Sequence, residues 1–261
     1  MIDLHSHVLP GIDDGPDTIE ASLALAHAAY EAGTRVLVAT PHVSWHYPND
    51  AATIARLVDE LQAALSAQGV ALELRTGAEI ALTRLPELDA SERERLRLGG
   101  GPWLLIEPPF APVLGSIEEM LLELQAGGQR VLLAHPERCA AFHSDPKMLA
   151  SLVRDGVLTS LTAGSLVGKF GETVRRFALE LVRAELVHNV ASDTHDLVKR
   201  PPSIADELER AGLPPALAEW LTEEVPAAIL SGGEIPPRPA VELARAGWPR
   251  RVFRRGATRA S

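Results

Sequence analysis

Short apolar runs rich in β-branched residues alternate with amphipathic helical stretches from the start of the chain to residue 195, and most runs end on a histidine or a carboxylate. Strand–helix alternation at this spacing makes a parallel sheet with right-handed crossovers. The strand candidates are 2–8, 35–39, 70–80, 103–106, 131–134, 157–162 and 188–192. Between them, apolar residues recur at helical spacing. A helix opens on a capping pattern at Asp17 and Glu20 and stops at Gly33, and a second runs from 51 to 67 and closes at Gly69. A polar helix covers 84–97, another runs from Ile117 to Gly127-Gly128, and further ones cover 145–154 and 171–185. Beyond Pro201, helices are expected near 203–211 and 214–230. About seven such units within 195 of 261 residues predict an α/β fold, a closed or nearly closed barrel of parallel strands with outer helices, in one main domain spanning 1–235.

The formal charge of −10 is unevenly spread: residues 236–261 hold seven arginines and one acid, Glu242, so residues 1–235 carry −16. An acidic body is a poor nucleic-acid surface, because phosphate contacts need clustered Lys and Arg. The basic, Pro/Arg-rich tail reads as a solvated, partly disordered end. No run of about eighteen apolar residues exists, so no membrane insertion is expected, and no basic-then-apolar leader opens the chain. A lone cysteine, Cys139, excludes an internal disulfide framework and fits a reducing, cytoplasmic setting.

The candidate chemistry sits where the strands end. In an extended strand Asp3, His5 and His7 share a face. Two imidazoles so placed can grip one divalent cation, with Asp3 supporting a ring N–H or standing near the ion. Asp13 and Asp14 follow on a turn from which carboxylates can fold back. His42, Glu79, Glu107, His135, Asp193 and His195 lie at the carboxyl ends of other predicted strands. That end is the face on which parallel α/β barrels build active sites. One histidine after a strand is ordinary; this many independent strands ending in a ligand type point to more than one ion. Imidazole and carboxylate donors without thiolate suit manganese, zinc or iron. Clusters of that kind serve phosphate ester hydrolysis.

Asp3-Leu-His5-Ser-His7, Asp13-Asp14-Gly15-Pro16, Thr40-Pro41-His42, Gly77-Ala-Glu79-Ile80, Ile106-Glu107, Ala134-His135-Pro-Glu137-Arg138, Ser192-Asp193-Thr-His195 and Arg200-Pro201-Pro202 together resemble the polymerase and histidinol phosphatase (PHP) superfamily. Within it they are similar to the bacterial capsular-polysaccharide tyrosine-protein phosphatases. The resemblance spans residues 1 to about 232 and implies a distorted (β/α)7 barrel with three divalent ions, manganese ahead of zinc or iron. His5, His7, Glu79 and Asp193 would hold one; Glu79 would bridge to a second held with Glu107 and His135; Asp14, His42 and His195 would hold the third. Arg138 and Arg200 would grip phosphate, a role planar guanidinium suits by bidentate binding. The implied reaction is hydrolysis of phosphotyrosine by a metal-bridging hydroxide, on a tyrosine kinase that regulates polysaccharide synthesis and export. An oligomer is allowed.

Two features depart from the family pattern: Cys139 stands where an aromatic is common, and Ser44-Trp45-His46-Tyr47 differs from the usual loop. Trp45 and Tyr47 are candidates to stack on a phenyl ring, though each reads equally as plain packing; His46 is a candidate to donate a proton but reads more readily as a loop histidine without that role. The chain lacks a phosphate-cradling loop after Cys139, which excludes a cysteine phosphatase. A phosphatase of a small metabolite such as histidinol phosphate shares every ligand and is the alternative. A catalytically idle docking module for the capsule machinery and a nuclease are weaker readings, the first set against a full ligand set and the second against the acidic body.

Overall fold

Strands buried on both faces of a parallel sheet read as unbroken apolar runs, and the inner strands here obey that rule: Leu104, Leu105, Ile106 and Val131 to Ala134 are fully buried. The computed structural model describes residues 1–109 and 117–243. Within them the strands are β1 (Ile2–Ser6), β2 (Val36–Ala39), β3 (His42–Val43), β4 (Glu73–Thr76), β5 (Glu79–Ala81), β6 (Trp103–Glu107), β7 (Arg130–Ala134), β8 (Leu158–Thr162) and β9 (Asn189–Ala191). The helices are α1 (Ile19–Glu31), α2 (Ala51–Ala67), α3 (Ala90–Arg95), α4 (Ile117–Ala126), α5 (Ala140–Ser144), α6 (Pro146–Arg154), α7 (Ala163–Leu166), α8 (Glu172–Arg183), α9 (Ile204–Arg210), α10 (Pro215–Glu219) and α11 (Val225–Ser231). A π-helical turn, Trp220–Glu224, joins α10 to α11.

The named strand pairs are all parallel. One sheet has the order β1-β2-β4 and the other β3-β5-β6-β7-β8-β9. β2 runs into β3 through Thr40-Pro41, and β4 into β5 through Gly77-Ala78, so two strand positions are each divided between the sheets. A parallel bridge between Ser6 and Thr194 ties β1 to the segment after β9. There the Asp193 N–H donates to the His5 carbonyl and the His7 N–H to the Thr194 carbonyl, both at 2.9 Å. Seven strand positions therefore follow one another in sequence order. The distortion lies at β4, which ends its sheet and packs on the 3₁₀ turn Leu98–Gly100 instead of on β6.

Several local expectations shift. The single strand expected over 70–80 is two, because the backbone at Gly77 passes too close to its neighbours to stay in one ladder. A Cβ there would lie 2.9 Å from Val38 Cγ1 and 3.1 Å from Leu98 Cδ2. The first helix is capped by Thr18, whose hydroxyl accepts from the Ala21 N–H at 3.3 Å, one residue later than the Asp17/Glu20 pattern implied. Its innermost residues are Ser22, Leu25, Ala26 and Ala29, while Ile19, Leu23 and Tyr30 flank them. Small side chains let that helix approach the sheet. The polar stretch at 84–97 breaks into a 3₁₀ segment, Leu82–Glu87, and α3, with Pro86 inside the former.

At the far end the indole N–H of Trp220 donates to the Pro236 carbonyl at 3.0 Å. Arg238 covers the Trp220 ring and donates to the Val182 and Val187 carbonyls. The opening residues of the expected tail are thus tied to the body, while Arg245, Arg250, Arg251, Arg254, Arg255 and Arg259 lie outside the described residues. Among the described residues no helix is long and apolar enough to cross a membrane.

Candidate metal centre

Parallel strands that all point one way deliver their last side chains to one rim, and every ligand candidate arrives there. His5 is on β1 and His7 just beyond it; Asp14 is on the following turn. His42 opens β3 and Glu79 opens β5, and the register sets them side by side. Glu107 closes β6 and His135 follows β7; Asp193 and His195 follow β9. His135 and Asp193 both have left-handed backbone (φ 30° and 53°). That conformation is costly for residues with a side chain and tends to persist where the surroundings hold it at a functional site.

The nine side chains fall into overlapping groups whose donor atoms lie within 4.8 Å of one another. They are His5, His7 and Asp193; His5, Glu79 and His135; His42, Glu79 and Glu107; and His7, Asp14, His42 and His195. Glu79 is the hub. Its Oε1 is 2.6 Å from His135 Nε2, and its Oε2 is 3.2 Å from His5 Nε2, 3.3 Å from His7 Nε2 and 3.1 Å from His42 Nδ1. Asp14 Oδ1 lies 3.4 Å from His42 Nε2 and 3.3 Å from His195 Nε2. Glu107 stands 3.9 Å from both His42 and His135.

These separations fit cations. Two ligands each about 2.1 Å from one ion sit roughly 3.0–3.4 Å apart. The Nε2 atoms of His5 and His7 face each other at 3.2 Å and converge on the same carboxylates. Asp193 Oδ1 is buried with no hydrogen-bond donor among the described residues, 3.4 Å from His5 Nε2 and 3.6 Å from His7 Nε2. A buried carboxylate oxygen without a donor is expensive, and a cation between it and the two imidazoles removes that cost. Structural zinc, calcium-type all-oxygen and thiolate chemistries are unsuited to this mixed donor set.

Electrostatics press the same way. Burial works to raise the Glu79 and Asp193 pKa values, but the surrounding imidazoles, and Arg200 for Asp193, outweigh it and hold both below the usual carboxylate range. Glu107 is pushed up to about 8 by burial and by repulsion from Glu79. His135 is lowered to about 4 by burial. Burial opposes a proton on His7 too, yet its bonds to Asp13 and Glu79 lift it to about 10. The depressed Glu79 and Asp193 carboxylates register the cationic groups around them, and the raised Glu107 registers how closely the acids are packed.

Arg138 closes the turn after His135 and donates Nη1 to Asp193 Oδ2 at 2.8 Å. Arg200 also bonds that oxygen, and its Nη1 lies 2.9 Å from His195 Nε2. Both expected phosphate arginines therefore stand beside the ligand groups.

Asp3 does not touch an imidazole ring. It is buried and accepts from the Ser192 hydroxyl at 2.5 Å, the Ser192 N–H at 3.1 Å and the His5 N–H at 3.2 Å, binding β1 to the end of β9. Burial raises its pKa to about 6 against those bonds. The ring partner is Asp13, whose Oδ2 meets His7 Nδ1 at 2.7 Å and accepts from the His42 N–H at 3.0 Å. Such a carboxylate fixes ring tautomer and orientation. Its signal was the Asp13-Asp14-Gly15 turn, where the Gly15 N–H bonds Asp13 Oδ1 and aims one acid inward. Glu137, likewise missed, is fully buried and accepts from the Thr162 N–H and the Ser165 hydroxyl.

On the rim, Tyr47 lies parallel to His42 with ring centroids 5.6 Å apart. Trp45 is 63% exposed and carries Arg84 over its ring. His46 is exposed and packs edge-on against Tyr47. Cys139 is fully buried and its thiol pKa is pushed up by burial, which suits packing and not nucleophilic attack.

With this geometry in place, likeness to known proteins becomes decisive. The family model "Capsular polysaccharide synthesis, CpsB/CapC" matches residues 1–211. The chain belongs to the CpsB/CapC family. The tyrosine-protein phosphatase YwqE of Bacillus subtilis is 37% identical over 201 residues, covering 77% of this chain and 79% of its own. The tyrosine-protein phosphatase CpsB of Streptococcus pneumoniae is 32% identical over 211 residues, covering 77% and 86%. Against the crystal structures of YwqE and CpsB, described as metal-dependent tyrosine phosphatases, this member of the family superposes with TM-score 0.80 at 32% identity, covering 93% of this chain and all of that one. A β-aspartyl dipeptidase from Fervidobacterium islandicum shares the fold alone, at TM-score 0.58 and 14% identity.

Proposed function

We propose that this protein is a metal-dependent protein-tyrosine phosphatase of the capsule or exopolysaccharide machinery, acting in the cytoplasm on a tyrosine kinase that governs polysaccharide synthesis and export. The observation that carries the reading is the convergence of His5, His7, Asp14, His42, Glu79, Glu107, His135, Asp193 and His195 on one rim, with Arg138 and Arg200 on the Asp193 carboxylate beside them.

Three divalent ions, manganese ahead of zinc or iron, suit those ligands. The first takes His5, His7, Glu79 and Asp193, the second Glu79, Glu107 and His135, and the third Asp14, His42 and His195. When bound, the ions supply the charge that activates water and stabilises a phosphoryl group in displacement. The chain's own residues do the rest. Arg138 and Arg200 present planar donors that can bind phosphoryl oxygens in pairs and offset charge growing there. Asp193 holds both guanidiniums through one oxygen. Asp13 holds the His7 ring and the His42 backbone in place. A tyrosine phenolate, with pKa near 10, leaves with less acid help than an alkoxide, so His46 at its exposed position is not needed for departure.

The test is hydrolysis of a phosphotyrosine peptide, a phosphoserine peptide and histidinol phosphate by purified protein, before and after chelation and with manganese added back, alongside elemental analysis. Phosphotyrosine preferred and manganese restoring activity is the expected result. Preference for histidinol phosphate moves the substrate to a small metabolite, and undiminished activity after complete metal removal refutes the metal assignment.

A further inference from the structure

Phe170 enters neither the ligand set nor the motifs above, yet both candidate phosphate arginines lie over it. The Arg138 guanidinium carbon is 4.6 Å from the centre of the Phe170 ring and that of Arg200 is 5.9 Å. Within about 6 Å of a ring face a guanidinium is attracted by the ring quadrupole and stacks with it. Each guanidinium also bonds Asp193 Oδ2. The two cations are therefore held by a carboxylate and an aromatic ring together.

The loop carrying the ring is built to stay put. It runs from α7 to α8 through Gly168 and Gly171, both at positive φ (89° and 91°), which lets the chain turn twice within four residues. The Lys169 N–H donates to the Gly164 carbonyl at 3.0 Å and the Gly171 N–H to the Gly168 carbonyl at 3.0 Å. The Lys169 ammonium, next in sequence to the ring, pairs at 2.5 Å with the buried Glu207 carboxylate on α9. That carboxylate is itself bonded by the Ser203 hydroxyl at 3.0 Å. A side chain whose only task is to cover the core needs no such anchoring, and Phe170 is only half-buried. Arg200 Nε, meanwhile, is buried with no hydrogen-bond partner among the described residues, so the guanidinium is held by the ring and by its terminal nitrogens while one donor is left over.

We infer that Phe170 is a positioning residue: its ring face holds Arg138, and more weakly Arg200, in the plane from which they grip a phosphoryl group. The inference rests on the phosphatase reading for its reaction but on the arginine geometry for its physics. It separates Phe170 from Trp45 and Tyr47, whose ring partners are Arg84 and His42.

The experiment compares wild type, Phe170→Leu, Phe170→Trp, Arg138→Ala and the Arg138→Ala/Phe170→Leu double variant. The readouts are para-nitrophenyl phosphate hydrolysis, metal content, thermal midpoint, and inorganic phosphate binding to the metal-loaded protein by calorimetry. Removing the ring while keeping its bulk is expected to weaken phosphate binding and lower kcat/KM together, each by about tenfold, with metal content unchanged. Phe170→Trp, which keeps a ring face, recovers most of that loss. In the Arg138→Ala background the same substitution adds little, because its effect runs through the guanidinium. Phe170→Leu with wild-type phosphate affinity overturns the inference, as does an undiminished further loss in the Arg138→Ala background. Should Phe170→Leu not fold, Phe170→Met against Phe170→Tyr carries the same contrast. If wild type hydrolyses no phosphate ester, the phosphatase reading fails while the phosphate titration still decides the role of Phe170.

Discussion

Glu79 shows what a single carboxylate can organise: fully buried, it meets four imidazoles through two oxygens. Its neighbours depend on support that is itself testable. Asp13→Ala removes the acceptor for the His7 ring and for the His42 backbone. The expected outcome is metal affinity lower by about 10–100-fold, read by chelator titration of the loaded protein. The ligands were legible because a histidine or acid at a strand end is a local feature of the sequence. Asp13 and Asp3 were not, since neighbouring acids on a turn look alike until the Gly15 N–H and the Ser192 hydroxyl choose between their directions.

A second residue gives a pH test away from the ligands. Burial, with Arg238 adding to it, lowers His188 to about 4, and its Nδ1 accepts from the Thr159 N–H at 3.3 Å, which requires the neutral ring. A base whose folded pKa is depressed contributes stability that is fully present above its unfolded pKa near 6.5. That contribution is lost as pH falls from there toward 4, because the unfolded chain then binds the proton first. His188→Asn keeps an acceptor at the same place without titrating. Between pH 7 and pH 5, urea denaturation is expected to show wild type losing about 1–2 kcal/mol more than the variant.

At the scale of elements, the alternation of strands and helices was readable because periodicity survives in single stretches of sequence. The division of two strand positions between sheets was not, for it follows from packing against distant residues. Gly77 is the sharpest case: the run from 70 to 80 looks continuous, and only Val38, Thr40 and Leu98 pressing on the backbone interrupt it. Gly77→Ala forces those neighbours apart and is expected to cost about 1–3 kcal/mol, measured as a lower urea midpoint with an unchanged slope. The N-cap at Thr18 instead of Asp17 shows how adjacent residues with similar side chains compete for one cap.

Over the whole molecule, the rim is where four carboxylates, Asp14, Glu79, Glu107 and Asp193, crowd together and a bound cation would relieve their repulsion. Stripping metal with a chelator is therefore expected to lower the thermal midpoint, in proportion to the binding free energy lost, and calorimetry with and without added manganese checks it. Away from the rim, one arginine ties the segment after α11 to the body. Arg238→Ala uncovers the Trp220 ring and frees the Val182 and Val187 carbonyls. That change should reduce stability by about 1–2 kcal/mol while leaving kcat/KM for para-nitrophenyl phosphate unaltered.

The pairing of the first strand with the segment after the last has a cost in time. Asp3 and Ser192, joined by two hydrogen bonds, are separated by 189 residues. During synthesis at about 5–20 residues per second, the opening histidines therefore wait on the order of ten to forty seconds for the partner that completes their surroundings. The sites that draw on Asp193 and His195 are consequently finished last, whereas Glu79, Glu107 and His135 are already present; a nascent chain halted before Asp193 should emerge with most of its helices and bind fewer divalent ions than the whole chain.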